Sequence, residues 1–229
     1  KSLLGGISTH VGAGGGGGPD GGPDAGERGS TGGGGGATYG DLGGGRVDRL
    51  LQRRSILLSA VALRQNPHDV HEWHKRAAAL KRQGLAAAAI SAYIDAVVSV
   101  NPSDALGTPC SLWTALAGVY DECGDLASAT KVYDCATCHG RFKDRAGLAA
   151  VWRGWIELLL RHDKFDDAIA VSRRALAPMT VSGGLDVKQR AIRGQLRRSA
   201  RFWAYCIDLE ESLGTLASTR AAYEQVLGL

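Results

Sequence analysis

The sequence predicts an all-α chain, a solenoid of stacked helix pairs preceded by a glycine-rich disordered segment. Three observations carry this. Of the 33 glycines, 21 fall in residues 1–45, which leaves 12 in the other 184 residues. From Val47 onward apolar residues recur at helical spacing, with almost no strand-like alternation. Four tryptophans, Trp73, Trp113, Trp152 and Trp203, recur at spacings of 40, 39 and 51 residues with matching companions.

Residues 1–45 hold the tracts Gly14 to Gly18, Gly32 to Gly36 and Gly43 to Gly45. Glycine buries no side chain and loses the most entropy on ordering, so this segment is expected to be a disordered linker or insertion. A G-x-G-x-x-G match (Gly12, Gly14, Gly17) lies inside it. No strand precedes the match and no G-K-[ST] accompanies it, so it is not read as a nucleotide site. The second unit, residues 46–229, is long enough for one repeat array. The chain starts at Lys1 and ends directly after a periodic helix, so it reads as an internal fragment of something longer.

The first helix carries Leu50, Leu51, Leu57, Leu58, Val61 and Ala62 on one face and stops before Asn66-Pro67. The repeats follow. Eleven residues after each tryptophan stand Gly84, Gly124, Asp163 and Gly214; sixteen after, Ala89, Ala129, Ala168 and Thr219. Twenty after stand Tyr93, Tyr133, Ser172 and Tyr223; twenty-three after, Ala96, Ala136, Ala175 and Val226. The tryptophan supplies the large apolar body between helices A and B of a pair. The residue at plus eleven ends helix A, where glycine adopts the left-handed conformation without steric cost. The alanine at plus sixteen lets helix B come close, and the later positions stay on the same face. Each pair leaves a face that only the next pair covers. The expected repeat core is therefore Trp73, Tyr93, Trp113, Tyr133, Trp152, Trp203 and Tyr223.

Tetratricopeptide repeats share this plan, but they place glycine four residues after the tryptophan, where this chain has Ala77, Ala117, Ile156 and Ile207. Their period of 34 is also shorter. Glu210, Arg220 and Tyr223-Glu224 in the fourth repeat resemble the half-a-tetratricopeptide (HAT) repeat. The segments LLSAVALRQNPHDVHEWHKR (Leu57 to Arg76) and DLEESLGTLASTRAAYEQVLGL (Asp208 to Leu229) are similar to SYF-type, crooked-neck-like pre-mRNA-splicing factors, also called XPA-binding proteins. SLWTALAGVYDECGDLASATKVYDCAT and AAVWRGWIELLLRHDKFDDAIAVSRRALAP fall between them in the same order. The resemblance covers about residues 50–229. It implies a right-handed α-solenoid of four HAT pairs behind one leftover helix, with no enzymatic activity. It further implies a nuclear scaffold of the spliceosome's NineTeen-associated machinery, with NineTeen-complex and crooked-neck-like proteins as partners.

Other motifs point to less. Cys135-Ala136-Thr137-Cys138-His139 matches the c-type haem pattern, but Ala136 already has a repeat role. His71 and His74 share a helix face without a third ligand at suitable spacing. Five cysteines, an odd number, fit reduced thiols. No run approaches the roughly 18 apolar residues of a membrane span. No cofactor, metal or small-molecule substrate is expected.

Charge singles out one stretch. Residues 46–229 carry a net of +6, and from Val187 to Ile207 there is no acidic residue. Arg190, Arg193, Arg197 and Arg201 are spaced three, four and four, which predicts one exposed helical stripe, in the plain reading a solvated helix face and in the functional reading a contact for an anionic partner. An acidic protein surface fits better than RNA, because no aromatic side chains interleave with the arginines to stack on bases. An RNA-binding helical-repeat protein is the alternative reading. Such readers carry a recurring polar pair per repeat, and none recurs here.

Overall fold

The computed structural model describes residues 39–177 and 187–228. Among them are ten α-helices: α1 (Tyr39–Gln65), α2 (Val70–Arg82), α3 (Ala86–Ser99), α4 (Cys110–Glu122), α5 (Leu126–His139), α6 (Arg145–Arg161), α7 (Phe165–Leu176), α8 (Val187–Arg197), α9 (Ala200–Leu213) and α10 (Leu216–Leu227). The pairs α2/α3, α4/α5, α6/α7 and α9/α10 are the four expected repeats, and α1 packs on α2. No described helix is long and apolar enough to cross a membrane.

The starts of the helices follow from their caps. Asp69 accepts hydrogen bonds from His71 N (2.9 Å) and Glu72 N (3.3 Å), Asp125 from Ser128 N (2.9 Å), and Asp144 from Gly147 N (2.8 Å). Each satisfies amides that have no partner inside the helix. Thr215 and Ser218 form a reciprocal capping box at α10.

The register holds at the core. Trp73, Tyr93, Trp113, Tyr133, Trp152 and Trp203 are all buried, and Ala89, Ala129, Ala168, Ala96 and Ala136 have no exposed surface. The indole of Trp73 donates to Pro67 O (2.9 Å) and that of Trp203 to Arg197 O (2.6 Å), six residues back in both cases. Gly84 (φ +73°) and Gly124 (φ +77°) take the left-handed conformation that ends helix A, and Asp163 does so with a side chain (φ 56°).

Several expectations are corrected. Gly214 is extended, not left-handed (φ −85°, ψ −173°). A Cβ there would lie 2.5 Å from Glu210 O and 2.6 Å from its carboxylate, so a close approach requires the glycine. Tyr223 is 45% exposed, because no described helix covers the outer side of α10. Helix α1 begins at Tyr39, so the boundary expected at residue 45 falls inside it. Helix formation is cooperative, and a long downstream helix can extend through a few glycines at about 1 kcal/mol each. Leu50, Leu51, Leu57, Leu58 and Val61 are exposed, and α1 turns Ser59, Leu63 and Ile56 inward instead. The rest of the glycine-rich segment, residues 1–38, lies outside the described residues.

The 51-residue spacing contains an additional helix, α8, which packs on α6. The continuous stripe across Val187 to Ile207 is broken: α8 ends at Arg197 and α9 begins at Ala200.

Candidate partner-binding surface

The break reassigns the four arginines. Arg193 is buried, with 8% of its surface exposed. Its guanidinium donates to Thr137 O and to Cys138 O (3.3 Å). These carbonyls lie at the C-terminal end of α5, where helical oxygens lack internal donors and a cation is favoured. Arg197 is half-buried and donates through Nε to Leu176 O (3.0 Å). Arg193 and Arg197 therefore fasten α8 to α5 and α7. Arg190 and Arg201 are exposed, but they stand on different helices. Sequence spacing missed this because it assumed one helix and read every cation in an acid-poor stretch as solvated.

A second buried polar side chain completes the anchoring. The Gln189 amide accepts from Phe142 N (2.9 Å) and donates to Phe142 O (2.9 Å). Helix α8 is thus hydrogen-bonded across the loop between α5 and α6. Its first turn also reaches the loop between α3 and α4, where Lys188 Nζ lies 3.4 Å from Ser103 Oγ.

Neighbouring repeats are joined by polar contacts too. His74 bridges Tyr93 OH (3.1 Å) on α3 and Ser111 Oγ (2.8 Å) on α4. Both ring nitrogens are engaged by hydroxyls, so the His71/His74 pair is not arranged for a metal. Burial, aided by the charge of His71, holds the His74 pKa below its ordinary value. Between repeats three and four, Arg173 forms a bidentate pair with Glu210 (2.6 and 3.0 Å), and Ser218 Oγ donates to the same carboxylate (2.8 Å). The Arg173 hydrogen bond holds the Glu210 carboxyl below the usual range.

Where repeats one and two have tyrosine, repeat three has the buried Ser172. It faces a groove of about 620 Å³ between α7, α9 and α10, also lined by Trp203, Cys206 and Glu210. The C-x-x-C-H motif forms the last turns of α5, with Arg174 Nη2 3.2 Å from Cys138 Sγ. No group of three or more metal-ligating side chains occurs among the described residues.

What this arrangement offers chemically is a built surface and rigid inter-repeat joints. The pre-mRNA-splicing factor Syf1/CRNKL1 C-terminal HAT repeat family matches residues 102–229. The chain belongs to this family. The pre-mRNA-splicing factor SYF1 middle HAT repeat family matches residues 39–100, starting where α1 starts. Pre-mRNA-splicing factor SYF1 of Rattus norvegicus and that of Homo sapiens are each 40% identical over 184 residues, covering 80% of this chain and 21% of the relative. The syf1 homolog of Drosophila melanogaster is 36% identical over 184 residues, covering 80% of this chain and 20% of the relative. The chain thus spans about a fifth of the length of these relatives.

Proposed function

We propose that the chain acts as a non-catalytic protein–protein scaffold in pre-mRNA splicing, in the nucleus and within the spliceosome's NineTeen-associated machinery. NineTeen-complex and crooked-neck-like proteins are its proposed partners. The observation that carries this reading is the family match across the repeat array, whose members are named pre-mRNA-splicing factors. A stacked array offers a long surface suited to holding proteins. The glycine-rich segment ahead of α1, residues 1–38, is proposed as a spacer that takes no part in the core. Of the expected stripe, Arg190 and Arg201 are the proposed contact residues, since Arg193 and Arg197 are used to hold α8.

The test is affinity capture with the 229-residue chain from splicing-competent nuclear extract, with and without ribonuclease, read by mass spectrometry. Spliceosomal proteins should be enriched in both arms. Enrichment that vanishes with ribonuclease would favour the RNA-binding alternative.

A further inference from the structure

Helix α8 brings cations together across loops. Through the Gln189–Phe142 hydrogen bonds, Lys188 and Arg190 lie beside Arg141 and Lys143 of the loop between α5 and α6. Arg145 opens α6 directly after that loop. All five side chains are exposed. Two exposed carboxylates border the group, Asp144, which caps α6, and Asp104, which accepts from Asn101 Nδ2 (2.6 Å), so the cations outnumber the acids five to two.

Some basic residues elsewhere are paired with carboxylates. Lys81 pairs with Glu122, Arg161 with Asp121, Arg173 with Glu210 and Arg174 with Asp134. Among the described residues Arg141, Lys143, Arg145 and Lys188 form no ion pair. Two buried polar anchors, Gln189 and Arg193, keep this unmatched charge in one place.

We propose that this surface, formed by α8 and the loop between α5 and α6, docks an acidic peptide segment of a partner protein. The inference rests on the scaffold reading and names the chemistry of one partner. Arginine forks and lysine tips match carboxylates in both charge and geometry. The one aromatic side chain of the loop, Phe142, is buried. Among the described residues the large exposed aromatics, Phe165 and Tyr223, stand at the start of α7 and on α10 instead. The surface therefore lacks the stacking platform that single-stranded RNA uses.

The test measures binding of the full 229-residue chain to two labelled probes by fluorescence anisotropy. One is a glutamate-rich peptide of about 12 residues and the other is oligo(U) RNA of about 20 nucleotides, each at roughly 50 and 200 mM salt. The variant Lys143→Glu/Arg190→Glu is compared with Lys131→Glu/Lys164→Glu, which makes the same charge change on other exposed sites. Peptide affinity should fall about tenfold or more in the first variant and less than about twofold in the second, and added salt should weaken wild-type binding. Lys143→Ala/Arg190→Ala should show a smaller loss in the same direction, which guards against misfolding of the reversal. Equal losses in the reversal and its control, no loss in either, or tighter binding to oligo(U) than to the peptide would overturn the proposal. If the reversed variant still captures every spliceosomal protein from extract, this surface is wrong while the scaffold reading stands. Capture of none by the wild type would instead defeat the scaffold reading.

Discussion

The ring of Tyr133 lies parallel to that of Trp155, with centroids 6.3 Å apart and 8° between planes, although the two belong to consecutive repeats. Trp155 in turn stacks on Trp152 (5.7 Å, 14°), and the Arg174 guanidinium sits over both indoles at 5.9 and 5.3 Å. Burial pushes the Tyr133 phenol up to about 12. This ladder joins the second repeat to the third, and it depends on Gly154. A Cβ there would lie 2.9 Å from Tyr133 OH and 3.3 Å from Thr114 Cγ2. Gly154→Ala gains helix propensity of about 1 kcal/mol but forces a repacking that costs about 1–3 kcal/mol. The expected net result is a lower melting temperature, measured by circular dichroism. A rise would show that the ladder has room to move.

The tryptophans should not contribute equally to unfolding. Helix α4, which carries Trp113, packs on α3, α5 and α6, with a complete helix pair on each side. Trp113→Ala should cost roughly 3–5 kcal/mol and at least as much as Trp203→Ala. Hydrogen exchange should show the loss concentrated in adjacent repeats, because solenoid repeats couple mainly to their neighbours. A silent Trp113→Ala in thermal unfolding would break the register on which the fold assignment rests.

Acid should loosen the joint between repeats one and two. His74 has a folded pKa below its ordinary value of 6.5, so the unfolded chain binds the proton more readily. Its contribution is complete above pH 6.5 and declines as the pH falls below that value towards the lowered folded pKa. Melting temperature should therefore drop between pH 7 and pH 5, with a shallower slope in His74→Gln. The same slope in both proteins would remove His74 as the cause.

A second acid transition belongs to Glu210. Its folded pKa is lowered by Arg173 and Ser218, so its stabilisation is present above the ordinary carboxyl value of 4.5 and lost as pH falls through the lower folded pKa. At neutral pH, Glu210→Gln should cost about 1–3 kcal/mol, because a charged hydrogen bond to Arg173 is lost inside a nearly buried site. Limited proteolysis should then cut first around α9 and α10. Cleavage appearing first in α4 or α5 would contradict this placement.

Much of the array was legible in the chain itself because its core positions repeat. A tryptophan on helix A and small residues on helix B recur at fixed offsets, and six of the seven named core aromatics are buried. Tyr223 departs because burial depends on a covering neighbour, which spacing alone cannot supply. The docking of α8 was not legible. Gln189 and Arg193 reach partners 47 and 56 residues away, and nothing periodic marks such contacts. Trp155 was missed because it has no counterpart in the other repeats. The inward face of α1 was misread because the helix carries apolar residues on more than one side.

Cross-linking mass spectrometry reads out whether this array holds proteins. The tagged chain is added to ribonuclease-treated, splicing-competent nuclear extract and cross-linked through its lysines. Cross-links to more than one spliceosomal protein are expected, from different repeats, with Lys143 or Lys188 among the linked sites. Cross-links confined to abundant unrelated proteins, or their disappearance once RNA is removed, would contradict it.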